Sequence, residues 1–438
     1  MRFYIHKLGC PKNDVDADYL TSRLIADGHK LVATPEDADS VLVNTCGFIL
    51  PAKEESIHEL LRLCRFKGPG QVSTVYAVGC LSQRHGDELL KGIPELDGAF
   101  GIGELDAIAR AVAHNEKFTN CLMTDSGQLC YIDWKTRYVD DSTPYAYLKI
   151  SDGCDRRCAY CSIPNIRGDY RSRSVESILN EAEYLADRGK KELILVSQDA
   201  TYYGHDIGRD LLTLLRQLEQ ISSISWIRLL YLHPAGLTRE LIEYMTVGNK
   251  ALPYFDVPLQ HISCDILSAM GRRVDKPAIQ QLIDTIRAAS DQTTIRTTFI
   301  VGLPGETEAH FQELFDFVVA NEFDRMGVFS YSPEEGTRAA EMPNHVKTEV
   351  RYHRMDQLMT AQQDIAFAKN NSLIGQRRDV IIDAIQEDGS ALGRTWADCP
   401  EIDQEIFVKG VQLQIGRIYQ VEITASKGYD LEGTVVEG

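Results

Sequence analysis

No stretch of this sequence is long and apolar enough to cross a bilayer: its longest hydrophobic runs, such as LILV at 193–196 and ITA near 425, fall far short of the roughly 20 residues a spanning helix needs. A membrane association through such a helix is therefore not expected. The opening residues, MRFYIHKLGC, also lack the basic start, apolar stretch and small-residue cleavage site of a secretion signal, so a cytoplasmic location is predicted. Positive charge is in short supply as well. Lys and Arg number 46 against 64 Asp and Glu, a formal net charge of −18, and that balance argues against wrapping duplex nucleic acid, which is bound by clustered Lys and Arg that release counterions. No specific DNA partner is expected; a basic partner suits the chain better. Internal repeats beyond a β/α alternation are missing, and so are low-complexity tracts, which excludes repeat arrays and compositionally biased tails.

What is present is the profile of a soluble globular protein: 438 residues, 44% hydrophobic and 25% charged, a length that predicts two or three domains. Eleven cysteines make an odd count on a chain without an export signal. A framework of structural disulfides is not expected in a reducing compartment, so some of these cysteines are expected to be metal ligands.

Residues 1–100 alternate short apolar strands with amphipathic stretches: FYIHKLG, VDADYLTSRLIADG, SVLVNTC, KEESIHELLRLCRF and STVYAVGC. This alternation predicts a parallel sheet covered by helices. Residues 118–143 are poorer in pattern and end in DDSTP, a linker signal that puts a boundary near 143. From 145 to about 331 six more strand candidates follow, YAYLKIS, ELILVSQ, WIRLLYL, YFDVPLQ, TIRTTFIVG and RMGVFSY. Six β/α units suggest an open, partial version of the eight-unit barrel. HVKTEVRYHRMDQLMTAQQDIAFAKN then reads as a long helix, and short strands near 376–384, 392–396, 405–409, 416–424 and 431–436 predict a small all-β barrel. The expected fold class is thus α/β, with an N-terminal parallel α/β domain at 1–143, a partial (β/α)6 barrel at 144–345, a connecting helix at 346–371 and a β module at 372–438.

The strongest chemical signal is SDGCDRRCAYCSIPNIRGDYRSRS, where Cys154, Cys158 and Cys161 form C-x-x-x-C-x-x-C just after the first barrel strand. Three thiolates from one tight loop can hold three irons of a cubane and leave the fourth iron open, whereas clusters that only carry electrons are closed by four cysteines. S-adenosylmethionine can fill the open position through its amino and carboxylate groups. A structural zinc site is the competing reading, but zinc favours C-x-x-C pairs with four ligands, and no fourth Cys or His lies close by in sequence. Tyr160, next to the last cysteine, reads equally well as ordinary packing. A second trio comes from the first domain: Cys10 follows FYIHKLG, Cys46 follows VLVNT and Cys80 follows VYAVG. All three would emerge at carboxyl ends of parallel strands, the edge where open α/β sheets bind ligands. A second cluster with an open iron is the favoured reading; buried structural thiols is the alternative. Gly9, Asn13, Asn44, Gly47 and Gly79 around them permit tight turns and close backbone approach. Cys64, Cys121, Cys130, Cys264 and Cys399 share no pattern and are expected to be buried small apolar residues.

At these residues the chain resembles the methylthiotransferase family, whose members join an N-terminal cluster-binding domain, a radical S-adenosylmethionine barrel and a C-terminal β module called TRAM. The likeness spans essentially the whole chain. LGCPKNDVDADYL, SDGCDRRCAYCSIPNIRGDYRSR, VSQDATYYG, VPLQHIS and GRTWADCPEID are similar to the branch that modifies a ribosomal protein rather than the branch that modifies transfer RNA. The resemblance implies two [4Fe-4S] clusters, two S-adenosylmethionine molecules per turnover and a reducing electron donor such as a flavodoxin. It implies that the substrate is an aspartate of small-subunit ribosomal protein twelve, methylthiolated at its β-carbon. Residues 372–438 carry six Lys and Arg against twelve Asp and Glu, a local charge of −6, which fits a basic ribosomal protein better than an RNA backbone. An unactivated C–H bond demands a radical. The cluster of Cys154, Cys158 and Cys161 is expected to reduce S-adenosylmethionine to methionine and a deoxyadenosyl radical, with sulfur drawn from the cluster of Cys10, Cys46 and Cys80.

For the cofactor, Ser197, Gln198 and Asp199 end the second barrel strand, where they would meet its methionine end. Gly302, Gly305 and Glu306 follow the fifth strand and would approach the adenosine; a plain strand-to-helix turn explains them equally well. His233, Gln260 and His261 also lie at strand ends, with a satisfied polar core as the blander reading. Arg167, Arg171 and Arg173 either grip a carboxylate or form a solvated charged loop. Two rivals stay open: an enzyme of the same chemistry acting on a transfer-RNA adenosine, and a non-catalytic metal-binding protein that docks on ribosomes.

Overall fold

The computed structural model describes residues 1–68, 71–126, 137–248 and 250–436. The chain divides into two compact units, one of Met1–Val139, Ser151–Ser177 and Ser332–Ala340, the other of Asp140–Ile150, Ile178–Tyr331 and Glu341–Gly438.

In the first unit, β1 (Arg2–Lys7), α1 (Pro11–Ala26), β2 (Lys30–Leu31), β3 (Ser40–Thr45), α2 (Leu50–Cys64), β4 (Thr74–Gly79), α3 (Cys80–Gly92), β5 (Gly98–Phe100) and α4 (Leu105–His114) follow one another. The strands make an all-parallel sheet in the order β2-β1-β3-β4-β5. Covered on both faces, its central strand SVLVNT is buried at every position, as continuous apolar runs in parallel sheets demand. Successive side chains leave on opposite faces. Val41 and Val43 pack with Leu60, Leu63 and Leu89 on one side, and Leu42 packs with Leu20, Leu24 and Val112 on the other. Crossover helices begin with proline at α1 and α2, where the missing N–H has no partner to lose.

The chain runs through β6 (Tyr145–Lys149) in the second unit and returns to the first with β7 (Ser151–Asp152), α5 (Ile163–Arg167) and β8 (Arg171–Ser172). The second unit continues with α6 (Val175–Asp187), β9 (Glu192–Val196), α7 (Leu211–Leu218), β10 (Trp226–Leu229), α8 (Arg239–Thr246), β11 (Tyr254–Gln260), α9 (Cys264–Ala269), α10 (Lys276–Ala289), β12 (Thr294–Val301), α11 (Glu308–Asn321) and β13 (Arg325–Ser330). All six expected barrel strands form, as two parallel ladders, β10-β9-β6 and β11-β12-β13, joined through the Ile227–Ala251 bridge. The long helix is α12 (Thr348–Ser372). It starts three residues later than its pattern suggests because Lys347 is extended, with ψ 146°. After it β14 (Arg377–Ile385), β15 (Ala391–Thr395), β16 (Ile406–Lys409), β17 (Ile418–Lys427) and β18 (Asp430–Val435) close into the expected small barrel, in the order β14-β15-β16-β18-β17. Val380, Ile382, Ile406, Val408, Val421 and Leu431 fill it.

Buried charge ties this small barrel to the N-terminal ends of the large barrel's strands. Glu192, first in β9, accepts from Arg228 Nε at 2.7 Å and from Arg394 Nη2 at 2.9 Å. Arg325 reaches Asp398, and the Tyr254 hydroxyl donates to Asp403 at 2.6 Å. The GRTWADCPEID motif is thus largely a root that plants one barrel on the other. Cys399 within it is buried, as is Cys64. Cys121 is only half-buried and Cys264 is exposed, because Cys264 opens α9 at its solvent-facing start; for these two the expectation of burial fails. Cys130 lies outside the described residues. Among the described residues no helix is long and apolar enough to cross a membrane.

Candidate functional site

Within the first unit the three strands that carry Cys10, Cys46 and Cys80 are neighbours, and each cysteine stands at a strand's carboxyl end. Cys10 is the N-cap of α1, and Cys80 is the first residue of α3. Helix N-termini favour anionic sulfur there. The turns come so close that side chains are excluded. A Cβ at Gly47 would lie 2.8 Å from the Cys80 carbonyl oxygen and 2.8 Å from Leu81 Cα. Burial pushes the Cys46 thiol up to about 12, with the nearby Cys80 and Cys10 adding to the rise. Burial raises Cys80 too, against the pull of Arg167. Two buried thiols that resist ionisation, Cys46 and Cys80, are what a cationic metal centre relieves, since metal binding and thiol deprotonation are linked. Asn13 ties the turns together: its side-chain amide donates to the Leu8 and Thr45 carbonyls, and the Asn44 side-chain amide donates to the Asn13 carbonyl at 2.7 Å.

The loop of Cys154, Cys158 and Cys161 belongs to the same unit, and all three side chains are half-buried. Gly153 turns into it with φ +77°, and a Cβ there would lie 2.0 Å from the Asp169 carbonyl oxygen. The Cys154 amide donates to the Gly168 carbonyl and the Cys161 amide to the Cys158 carbonyl, each at 3.1 Å. Arg157, held at φ 52°, forms an ion pair with Asp169. Tyr160 is half-buried, and the Ala159 carbonyl accepts from the Ala339 amide at 2.9 Å. Among the described residues no three His, Cys, Asp or Glu side chains group as ligands of a single ion. A cubane spreads its thiolates over separate irons, whereas a zinc shell gathers four ligands on one ion.

Of the two readings offered for Arg167, the grip on a carboxylate is the one found; its reach to a cysteine of the other trio had no signal in the sequence. Arg167 is buried, and its Nη1 spans both Asp152 oxygens at 3.0 and 3.2 Å. Its Nη2 donates to Asn13 Oδ1 at 2.7 Å, to Asp16 Oδ2 at 3.0 Å and to Cys80 Sγ at 3.4 Å. Burial alone would weaken its charge, but Asp152, Cys80, Asp16 and Cys10 hold it well above its ordinary value. Next to it, Ile166 packs against Cys80 and Ile102. Arg173 is buried as well and donates to Ser177, while half-buried Arg171 donates to the Asp169 and Arg167 carbonyls. A solvated charged loop is therefore ruled out for Arg167 and Arg173: apolar neighbours such as Ile166 and Tyr170 draw the segment inward. Asp16 and Asp152, the carboxylates that balance Arg167, lie inside LGCPKNDVDADYL and SDGCDRRCAYC, but nothing in those motifs marks them for this role.

In the second unit the remaining candidates stand at the carboxyl ends of the large barrel's strands. Ser197 and Asp199 are buried beyond β9, and Asp199 accepts from the Thr201 hydroxyl at 2.6 Å; Gln198 is half-buried between them. His233 is buried and its Nδ1 accepts from the Ala235 amide at 3.2 Å. Gln260 ends β11 at a break in register, with φ 74°. His261 is fully buried, and burial depresses it to about 3, so it is neutral. The Ser263 amide donates to its Nδ1 at 3.0 Å, which leaves the ring proton on Nε2, 3.6 Å from Glu306. Glu306 accepts from the Gly302 amide at 2.7 Å and from Arg354 at 2.8 Å, while burial raises its carboxyl. Gly302 turns at φ +81°; Gly305, at φ +86°, has open space where a side chain would project.

Three regions match known family models: the Radical SAM superfamily over residues 148–318, an uncharacterized protein family over 2–101, and the TRAM domain over 374–436. Curated relatives cover nearly the full length. A "Ribosomal protein uS12 methylthiotransferase RimO" from Syntrophomonas wolfei is 42% identical over 97% of this chain and 98% of its own. The protein of the same name from Pelotomaculum thermopropionicum is 43% identical over 98% of each chain. That from Bdellovibrio bacteriovorus is 40% identical over 98% of this chain and 96% of its own. Among solved structures, the radical S-adenosylmethionine methyltransferase TsrM from Kitasatospora setae, with cobalamin and a [4Fe-4S] cluster bound, aligns with TM-score 0.56 at 15% identity over 76% of each chain. That likeness concerns the fold alone.

Proposed function

The chain belongs to the RimO family of radical S-adenosylmethionine methylthiotransferases, and from that premise we propose that it methylthiolates the β-carbon of an aspartate in small-subunit ribosomal protein uS12. The family's two [4Fe-4S] clusters supply, when bound, the electron that cleaves S-adenosylmethionine and the sulfur that is transferred. In this reading Cys154, Cys158 and Cys161 hold one and Cys10, Cys46 and Cys80 the other. The observation that carries it is that both trios, up to 151 residues apart in sequence, stand in one compact unit, each on turns with no room for a Cβ.

The chain's own groups have distinct tasks. The α1 and α3 N-termini lower the cost of anionic sulfur at Cys10 and Cys80. Ser197, Gln198 and Asp199 would receive the polar methionine end of the cofactor. Gly302, Gly305 and Glu306 would line its adenosine end, with Glu306 bracing the turn through the Gly302 amide. Functional domains at 1–143, 144–345, 346–371 and 372–438 fit these tasks. The −6 charge of the last suits a basic ribosomal protein, and a cytoplasmic site of action with a flavodoxin-type donor suits the redox chemistry.

The test is Cys46→Ala in anaerobically reconstituted protein. Iron should fall from about eight to about four per chain, two four-iron cubes against one. Deoxyadenosine release should persist while methylthiolation of uS12 stops. Equal loss of both activities contradicts separate roles for the trios. A methylthio mass missing only from transfer RNA in cells without the gene would overturn the substrate, and a reconstituted protein that releases no deoxyadenosine would be a structural metalloprotein.

A further inference from the structure

We propose that Arg167 is a positioning residue that couples the two cysteine trios, holding the Cys154 loop against the turn of Cys80 and donating a hydrogen bond to the Cys80 sulfur as it ligates iron. The inference rests on the assignment of Cys10, Cys46 and Cys80 to the second cluster and adds to it a residue that is no ligand. Arg167 follows Cys161 by six residues, so it belongs to the loop of one trio, yet its Nη2 lies 3.4 Å from a sulfur of the other. The same nitrogen donates to Asn13 and Asp16, on the helix that Cys10 caps. Its partner nitrogen holds Asp152, two residues ahead of Cys154. One guanidinium therefore contacts the segments of Cys10, Cys80 and Cys154, and a planar fork of five fixed donors can serve all of them where a lysine cannot. Ile166 repeats the link through apolar contact with Cys80.

The consequence concerns the cluster's electron affinity. A donor pointed at a ligating sulfur, and a buried positive charge beside it, stabilise the more negative reduced state, so reduction potential follows hydrogen bonds and local charge. Asp16 and Asp152 partly balance that charge, but an ionised carboxylate has no proton to donate to the sulfur; the Arg167 N–H does.

The measurement uses the full chain with Cys154, Cys158 and Cys161 all changed to Ala, reconstituted anaerobically so that only the other cluster is present, and reads its midpoint by redox titration followed by electron paramagnetic resonance. In this background Arg167→Gln should make reduction at least tenfold harder, a shift of about 59 mV to lower potential for one electron, with four irons retained. Arg167→Lys should recover part of the shift, and Asp16→Asn, which frees Nη2 for the sulfur, should move the midpoint the opposite way. Retained irons with an unmoved midpoint in Arg167→Gln, or a midpoint in Asp16→Asn that falls rather than rises, would overturn the proposal; should Arg167→Gln lose its iron, the lysine and Asp16 variants decide. A parent background that binds no iron would instead refute the cysteine assignment itself.

Discussion

Replacing Glu192 with Gln probes the root of the small barrel. Glu192 is fully buried between Arg228 and Arg394, each of which is equally shut off from solvent. Arg228 also stacks over the Tyr254 ring at 4.5 Å and donates to the Trp396 carbonyl. The amide keeps the shape and one acceptor but leaves Arg394 with Asp383 as its remaining carboxylate and takes from Arg228 the carboxylate it is paired with. Breaking a buried ion network from one side costs about 3–5 kcal/mol, because the surviving charges stay dry and uncompensated. At roughly 2 °C per kcal/mol for a unit of this size, the transition should fall by about 6–10 °C. Scanning calorimetry on the holoenzyme at pH 7 reads this directly. Burial would raise the Glu192 carboxyl, but Arg228 and Arg394 outweigh it and hold it below its ordinary value. A carboxyl depressed in the folded state contributes stability above the unfolded value near pH 4.3 and loses it as pH falls through the folded one. The gap between wild type and Glu192→Gln should therefore be full at neutral pH and narrow under acid. A double-mutant cycle with Arg394→Met should be non-additive by more than about 0.5 kcal/mol. A transition lowered by less than about 2 °C, or strictly additive single changes, would refute this account of how the barrels are joined.

Gly47→Ala should lower iron content by about one cluster while leaving the Cys154 loop loaded, because its methyl would meet the backbone of Cys80 and Leu81 at 2.8 Å; iron analysis of the reconstituted variant checks it. Gly153→Ala should do the reverse, with strain at φ +77° of about 1–3 kcal/mol and loss of deoxyadenosine release. Glu334 is buried, and although burial raises its carboxyl, Lys53 and Arg84 hold it below the usual range. Glu334→Gln should then cost about 3 kcal/mol at neutral pH, a penalty that shrinks as pH drops below the carboxylate range, read by denaturant unfolding at pH 7 and pH 4. Leu42→Ala, in the central strand, should cost about 2–5 kcal/mol with no change in the iron bound per folded chain.

Three of the five strands of the first sheet and all six of the large barrel were legible in sequence because parallel strands buried on two faces are written as short apolar runs, LILV in β9 being the clearest; β2 and β5, two and three residues long, were too short to read. The cysteines were legible for a related reason: a turn at a strand's end is local, so its residue type and its spacing from the strand can be read together. Partnership was not. Arg167 meets Cys80 across 87 residues, and Glu192 meets Arg394 across 202. Nothing in an arginine's immediate neighbours distinguishes one that will be swallowed by the fold from one that will remain in water. The GRTWADCPEID segment showed the same gap. Its likeness to the family was visible, but that its acids and its arginine face inward became evident only from Asp398, Asp403 and Arg394 in place. Cys264 erred the other way, since a small thiol at a helix start need not be covered.

The planting of the small barrel on the amino-terminal strand ends has an evolutionary corollary. Ser197 and Gln260 sit at the far ends of those strands, five residues from Glu192 and six from Tyr254, or roughly 16–20 Å at 3.3 Å per residue. Loops at the outer rim of the module can thus vary without disturbing the strand ends that carry Ser197 and Gln260. Its stem cannot drift so freely: a chimera that imports a foreign module must also import charges that match Glu192, Arg228 and Arg325, or strand them in a dry seam.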